Sequence, residues 1–323
     1  MTIPPYLRPG DTIALTCPAG YMPRENAQTC IDTLQAWGYN VHVGRTLWGD
    51  GQTLGGGGST SDGHGRTSSN ASGNYFSGTD NERLTDLQQL LDDPTIKAVL
   101  CGRGGYGLSR IIDQIDLSAF KKSPKWVIGF SDITLLLSHI LANSKIATLH
   151  APMAGAFNDG GVATDYIQSL RRALAGEPAR YTCAPHPLNH PGTAKGRLVG
   201  GNLSLLAHAL GTASDVKTKG RILFLEDVGE YLYNIDRMLR QLKRSGKLDH
   251  LAGLIAGGFT ELKDTQRPFG ASVEEIIRDV VREYDYPVCF GFPVGHQKEN
   301  YALQVGGKYT LKIKSDQVSL ESQ

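Results

Sequence analysis

Cysteine is scarce in this chain and never clustered: Cys17, Cys30, Cys101, Cys183 and Cys289 include no C-x-x-C pair. An odd, scattered set excludes a disulfide framework and a zinc-type ligand cluster, and reads as reduced, buried thiols. An excess of either charge is also missing. There are 33 Lys+Arg against 32 Asp+Glu, a formal net charge of +1, so the basic surplus that usually marks a nucleic-acid partner is absent. Long apolar runs are lacking as well. No stretch approaches the roughly 20 residues that span a bilayer. The opening MTIPPYLRPGDTIALTCPAG is too polar and proline-rich for a secretion signal. These absences lead to the expectation of a cytoplasmic protein with no membrane, nucleic-acid, metal or cofactor partner.

What is present points to a globular α/β protein. At 323 residues with 40% hydrophobic content, the chain is long enough for two ordinary domains. Short apolar runs at Asp11–Cys17, Asn40–Val43, Ile96–Leu100, Trp126–Phe130 and Lys145–Leu149 read as strands. Helical spacing separates them, over Glu25–Trp37, Leu84–Leu91, Leu108–Ile115 and Ile133–Leu141. This alternation predicts a doubly wound parallel sheet. A helix over Tyr166–Gly176 closes a first domain, 1–176. The proline-rich 177–192 reads as a linker, and 193–323 as a second, mixed α/β domain ending in a hairpin over Tyr301–Leu320. One tract breaks the pattern. The segment 51–73 is rich in Gly and Ser and nearly free of apolar residues, so it is expected to be a flexible insert and has the composition of an engineered one.

Two strand–turn–helix units carry the chemistry. After Ile96–Leu100 comes Gly102-Arg103-Gly104-Gly105-Tyr106-Gly107; after Trp126–Phe130 comes Ser131-Asp132. A parallel sheet brings both turns to its carboxyl edge, where such sheets bind ligands. The first formally matches G-x-G-x-x-G, which leaves a dinucleotide-binding protein as one reading. Against it, the turn follows about the third strand, and the nearest acid placed to bind a ribose is Asp132, beside Ser131. A turn needing glycine only for tight packing is another reading. The third is a set of bare N–H groups facing a developing negative charge. Ser131 stands where a nucleophile elbow would stand, although Ile133 replaces the second glycine of G-x-S-x-G. A helix-capping serine fits the same position equally well.

A serine nucleophile needs a base, and the base needs an orienting acid. His42, His139 and His208 fall inside elements, His186 and His190 in the linker, and His150 ends a strand where it could line the pocket. His296 sits on a Gly/Pro loop after Val288–Phe290, a favourable place for a catalytic side chain. Among the acids, Glu226 ends the apolar run Ile222–Leu225, with Asp227 and Glu230 as rivals.

Taken in order, Gly102–Gly107, Gly129-Phe130-Ser131-Asp132, Gly200-Gly201-Asn202-Leu203, Leu225-Glu226-Asp227 and Gly295-His296 resemble the LD-carboxypeptidase family of serine peptidases. The resemblance covers nearly the whole chain apart from 51–73. It implies a flavodoxin-like N-terminal domain and a smaller β-rich C-terminal α/β domain, with the site between them. It also implies a triad of Ser131, His296 and Glu226, an oxyanion hole from the N–H groups of Gly105 and Asp132, a homodimer, and no metal. The implied reaction removes terminal D-alanine from murein tetrapeptides. Hydrolysis of microcin C-like aminoacyl-nucleotides is the alternative within the family. Arg103 and Asn202 are candidate substrate-binding residues.

Overall fold

The computed structural model describes residues 1–47 and 75–323. The Gly/Ser-rich insert expected over 51–73 lies outside the described residues. The strands are β1 (Thr12–Thr16), β2 (Asn40–Val43), β3 (Ile96–Cys101), β4 (Trp126–Gly129), β5 (Thr148–His150), β6 (Arg180–Cys183), β7 (Gly192–Asn202), β8 (Ile222–Val228), β9 (Gly253–Thr260), β10 (Val288–Cys289), β11 (Leu303–Val305), β12 (Lys308–Ile313) and β13 (Val318–Ser322). They form two sheets. The first runs β11-β5-β4-β3-β1-β2 and the second β10-β9-β8-β7-β12-β13-β6.

In the first sheet β2, β1, β3, β4 and β5 are mutually parallel, the flavodoxin-like order. Its strands are apolar on both faces because helices cover both. Side chains alternate between the two cores. Leu15, Leu100 and Ile128 meet Ile31, Leu34 and Leu170 from helices Glu25–Ala36 and Asp165–Ala175. Ala14, Val99 and Val127 meet Leu87, Leu91, Leu136 and Ile140 from helices Asp80–Asp92 and Thr134–Ser144. Helix Asp80–Asp92 begins with a capping box: Glu82 N–H donates to Thr79 Oγ1 at 3.2 Å, and Thr79 N–H to Glu82 Oε2 at 2.7 Å.

The second sheet changes character along β7. Its first half pairs antiparallel with β12, and its second half pairs parallel with β8. β9 and β10 continue the parallel part, so their carboxyl ends open toward the same side as that of β8. Helices Leu232–Arg244 and Val273–Val281 contribute Ile235, Leu239, Ile276 and Val280 to the core beside this sheet.

Three local expectations differ from the structure. The apolar pattern over Leu108–Ile115 is not an α-helix but two 3-10 turns, Leu108–Arg110 and Ile112–Gln114. Ile111, Ile112 and Ile115 still reach the core, so the pattern reports burial and not the type of turn. The segment 177–192 read as a linker holds β6, which pairs with β13 and buries Tyr181. The terminal hairpin is β12–β13 alone; β11 crosses to the first sheet and pairs antiparallel with β5. That pairing is long-range, and no local pattern encodes it.

Candidate active site

β3 and β4 are parallel neighbours, so the two turns expected to carry chemistry emerge side by side. Gly104 lies against the serine: a Cβ there would stand 2.8 Å from Ser131 Cβ, 3.0 Å from Ser131 Oγ and 3.3 Å from the Asp132 nitrogen. Any larger residue would fill the space above the hydroxyl. Ser131 holds φ 62, a left-handed conformation that costs a non-glycine residue on the order of 1–3 kcal/mol and recurs where function needs it. It opens a 3-10 turn, Ser131–Ile133, that runs directly into helix Thr134–Ser144. A strained strand-to-helix turn of this kind aims a hydroxyl out of the sheet edge.

Asp132 is buried, and its carboxylate accepts from the Leu108 N–H at 3.0 Å. It therefore ties the glycine turn to the serine turn. Burial pushes its pKa up to about 6, against the opposing pull of the Leu108 and Gly107 N–H groups and the Arg83 charge. Arg83, itself buried, donates to the carbonyls of Pro18 and Gly107 at 2.8 and 3.0 Å and pairs with Asp80.

The other side of the site comes from the second sheet. Glu226 is fully buried within β8, opposite Asn202 of β7, and the ladder to β9 slips at this position. Its Oε2 lies 2.6 Å from His296 Nδ1 and also accepts the His296 backbone N–H at 3.2 Å. Gly295 has φ 102, and a Cβ there would collide with Glu226 Cβ at 2.4 Å, so only glycine lets the histidine loop descend onto the acid. Thr260 Oγ1 fixes the same loop by donating to the His296 carbonyl at 2.6 Å. Burial pulls the His296 pKa down, but the Glu226 hydrogen bond and charge, with Asp227 and Glu261, outweigh it and leave the pKa raised.

The imidazole of His296 packs on Phe130, the residue before Ser131, with ring centroids 4.8 Å apart. Among the described residues, Ser131 Oγ makes no hydrogen bond to His296. Catalytic hydrogen bonds are often open in unliganded sites.

Comparison with known proteins shows the family to which the chain belongs. The profile of the LD-carboxypeptidase N-terminal domain matches residues 13–151, and that of the LD-carboxypeptidase C-terminal domain matches residues 195–311. The chain belongs to the LD-carboxypeptidase family. It is 34% identical to a probable murein peptide carboxypeptidase of Bacillus subtilis (strain 168), over 99% of this chain and 94% of that one. It is 30% identical to a murein tetrapeptide carboxypeptidase of Pseudomonas aeruginosa, over 93% and 92%. Among solved structures, a muramoyltetrapeptide carboxypeptidase from Oxalobacter formigenes superposes with a TM-score of 0.80 at 27% identity, covering 96% of this chain and 98% of that one.

Within this LD-carboxypeptidase, the other named residues divide. Arg103 is exposed on the glycine turn and donates from Nη1 to the Tyr21 carbonyl at 2.9 Å. Asn202 is buried. Its Oδ1 caps helix Leu203–His208 by accepting from Leu205 N–H at 3.2 Å, and its Nδ2 donates to Asp227 at 2.9 Å. Its side chain thus joins the start of that helix to Asp227 of β8. Asp227 also accepts from Ser204 and Val228 N–H at 2.9 Å, so its oxygens serve the helix start and not a histidine. Glu230 accepts from Asn234 at 3.1 Å. Of the three acids weighed in the sequence, only Glu226 meets His296. His150 is fully buried and has no exposed surface with which to line a pocket.

Sequence reasoning missed three contributors. The Asp132 carboxylate, weighed in the sequence only as an acid for a dinucleotide ribose, instead joins the two turns through Leu108 N–H. Gly201 touches Thr134: a Cβ would lie 2.6 Å from Thr134 Cγ2, and the next N–H donates to Thr134 Oγ1 at 3.2 Å. The Gly200-Gly201-Asn202 motif thus seats the second sheet on the helix that follows Ser131, and the paired glycines were its only signal. Asn300, four residues past His296, carried no signal at all.

Proposed function

We propose that this serine carboxypeptidase cleaves the amide bond between the L-centre of diaminopimelate or lysine and the terminal D-alanine of murein tetrapeptides. The observation that carries the reading is the 2.6 Å Glu226–His296 pair, with the imidazole packed on Phe130, the residue before the strained Ser131. Relatives named for murein peptides, matched along almost their full length, support the substrate class.

In this reading Glu226 holds His296 in the tautomer with its proton on Nδ1, leaving Nε2 as the base. Substrate draws Ser131 Oγ and Nε2 into hydrogen-bond range. Oγ attacks the amide carbonyl, and its proton passes to Nε2. The N–H groups of Gly105 and Asp132 receive the oxyanion. The C–N bond breaks as His296 gives the proton to the D-alanine amine, and water then releases the acyl group by the same steps. Arg103, exposed on the neighbouring glycine turn, pairs with the D-alanine carboxylate in this reading. A homodimer in the cytoplasm belongs to the same proposal and rests on the family resemblance; sedimentation at micromolar concentration tests the dimer.

The substrate test offers the enzyme three compounds: a murein tetrapeptide ending in D-alanine, the same peptide ending in L-alanine, and a microcin-like aminoacyl-nucleotide. Free D-alanine from the first alone supports the proposal. Cleavage of the aminoacyl-nucleotide alone would replace it with the immunity reading.

A further inference from the structure

The two halves of the site reach each other through a buried pair that neither the triad nor the oxyanion hole uses. His150 ends β5 and lies in register with Gly129 of β4, two residues before the serine. Its Nε2 is 3.2 Å from Asn300 Oδ1, and the same oxygen accepts the Gly295 N–H at 2.9 Å. A carboxamide oxygen has two lone pairs and no proton, so His150 carries its proton on Nε2 and donates it. His150 Nδ1 has no partner. Burial accordingly pulls the His150 pKa down to about 4, although the Glu226 charge opposes it, so the ring is neutral at ordinary pH. It packs edge-on to Phe224 of β8 at 5.0 Å between centroids and beside Phe130 at 5.7 Å. The path Gly129, His150, Asn300, Gly295 joins the strand that delivers Ser131 to the glycine that precedes His296.

We propose that His150 and Asn300 are positioning residues that set the separation of Ser131 from His296. The inference rests on the triad reading above and adds to it the device that holds its two parts in register. Either hydrogen bond alone would fix one loop; the shared oxygen fixes one loop relative to the other. Positioning of this kind matters because an error near 1 Å in a reacting group costs on the order of 100-fold in rate.

The test measures kcat and KM for D-alanine release from murein tetrapeptide with His150→Phe, Asn300→Leu and the double variant, each checked for folding by thermal melting. We expect kcat to fall by about 10- to 100-fold with KM within a factor of about two, and the double variant to be no slower than the slower single. His150→Gln, which reaches with an N–H, should recover part of the loss, whereas His150→Asn is too short to do so. That contrast carries the test if the apolar variants fold poorly. A folded His150→Phe with the parent kcat, or equal rates for the Gln and Asn variants, would overturn the proposal. Turnover by Ser131→Ala would instead overturn the triad reading beneath it, so the two failures are distinguishable.

Discussion

The two halves of the site are built by opposite means. The Ser131 half is made of backbone: a glycine turn without side chains at Gly104 and Gly105, a serine at φ 62 and N–H groups at a turn. Its one carboxylate, Asp132, is used internally on Leu108. The Glu226–His296 half is made of side chains, joined by a short hydrogen bond between residues 70 apart in sequence. A backbone device is fixed by shape and has no charge to tune. A side-chain device is set by charge and responds to pH. Each half therefore breaks in its own way.

The largest effects remove chemistry outright. Ser131→Ala should lower kcat by about a million-fold with the melting temperature unchanged or raised, because alanine leaves the fold intact; stopped assays and calorimetry check both. Glu226→Gln should cost about 10,000-fold in kcat, since the amide no longer stabilises the imidazolium. Breaking the backbone half should cost less. Gly104→Ala puts a methyl 3.0 Å from Ser131 Oγ, and a displacement on that scale is worth about 100-fold in kcat. Its signature is that the pH profile stays where it was.

That profile separates the halves further. The His296 pKa is raised above its ordinary 6.5 by Glu226 despite burial, and the proposed mechanism requires a neutral His296 to accept the serine proton. Activity should therefore fall as pH drops through a value above 6.5, and the residual activity of Glu226→Gln should show this limb displaced to lower pH. The smallest expected effect is on stability. Burial raises the Asp132 pKa from 3.8 to about 6, so between those values the folded state holds more protons than the unfolded. Stability from this group is therefore full at low pH and declines as pH rises toward 6. Asp132→Asn should flatten that slope in melts taken between pH 4 and 7.

The parallel sheet was legible because its strands are buried on both faces and read as continuous apolar runs bounded by glycine. The two turns were legible for a related reason: Gly104 and Gly129 admit no side chain, and glycine in such a place is visible. What the chain did not reveal depends on long-range pairing. Glu226, Asp227 and Glu230 look alike locally, and only the fold directs one to His296 and another to the start of helix Leu203–His208. β6 was hidden among prolines, and β11 looked like half of a hairpin until its partner in the other sheet was known. Asn300 is an ordinary polar residue in a loop; its role exists only because His150 arrives from the first sheet.

The central claim is that Ser131 of one sheet is the nucleophile for a peptide amide, activated by His296 of the other. Parent and Ser131→Ala enzyme should be incubated with murein tetrapeptide, and free D-alanine followed by mass spectrometry. The parent should release D-alanine and tripeptide in equal amounts and the variant none. Equal release by a folded Ser131→Ala would contradict the central claim.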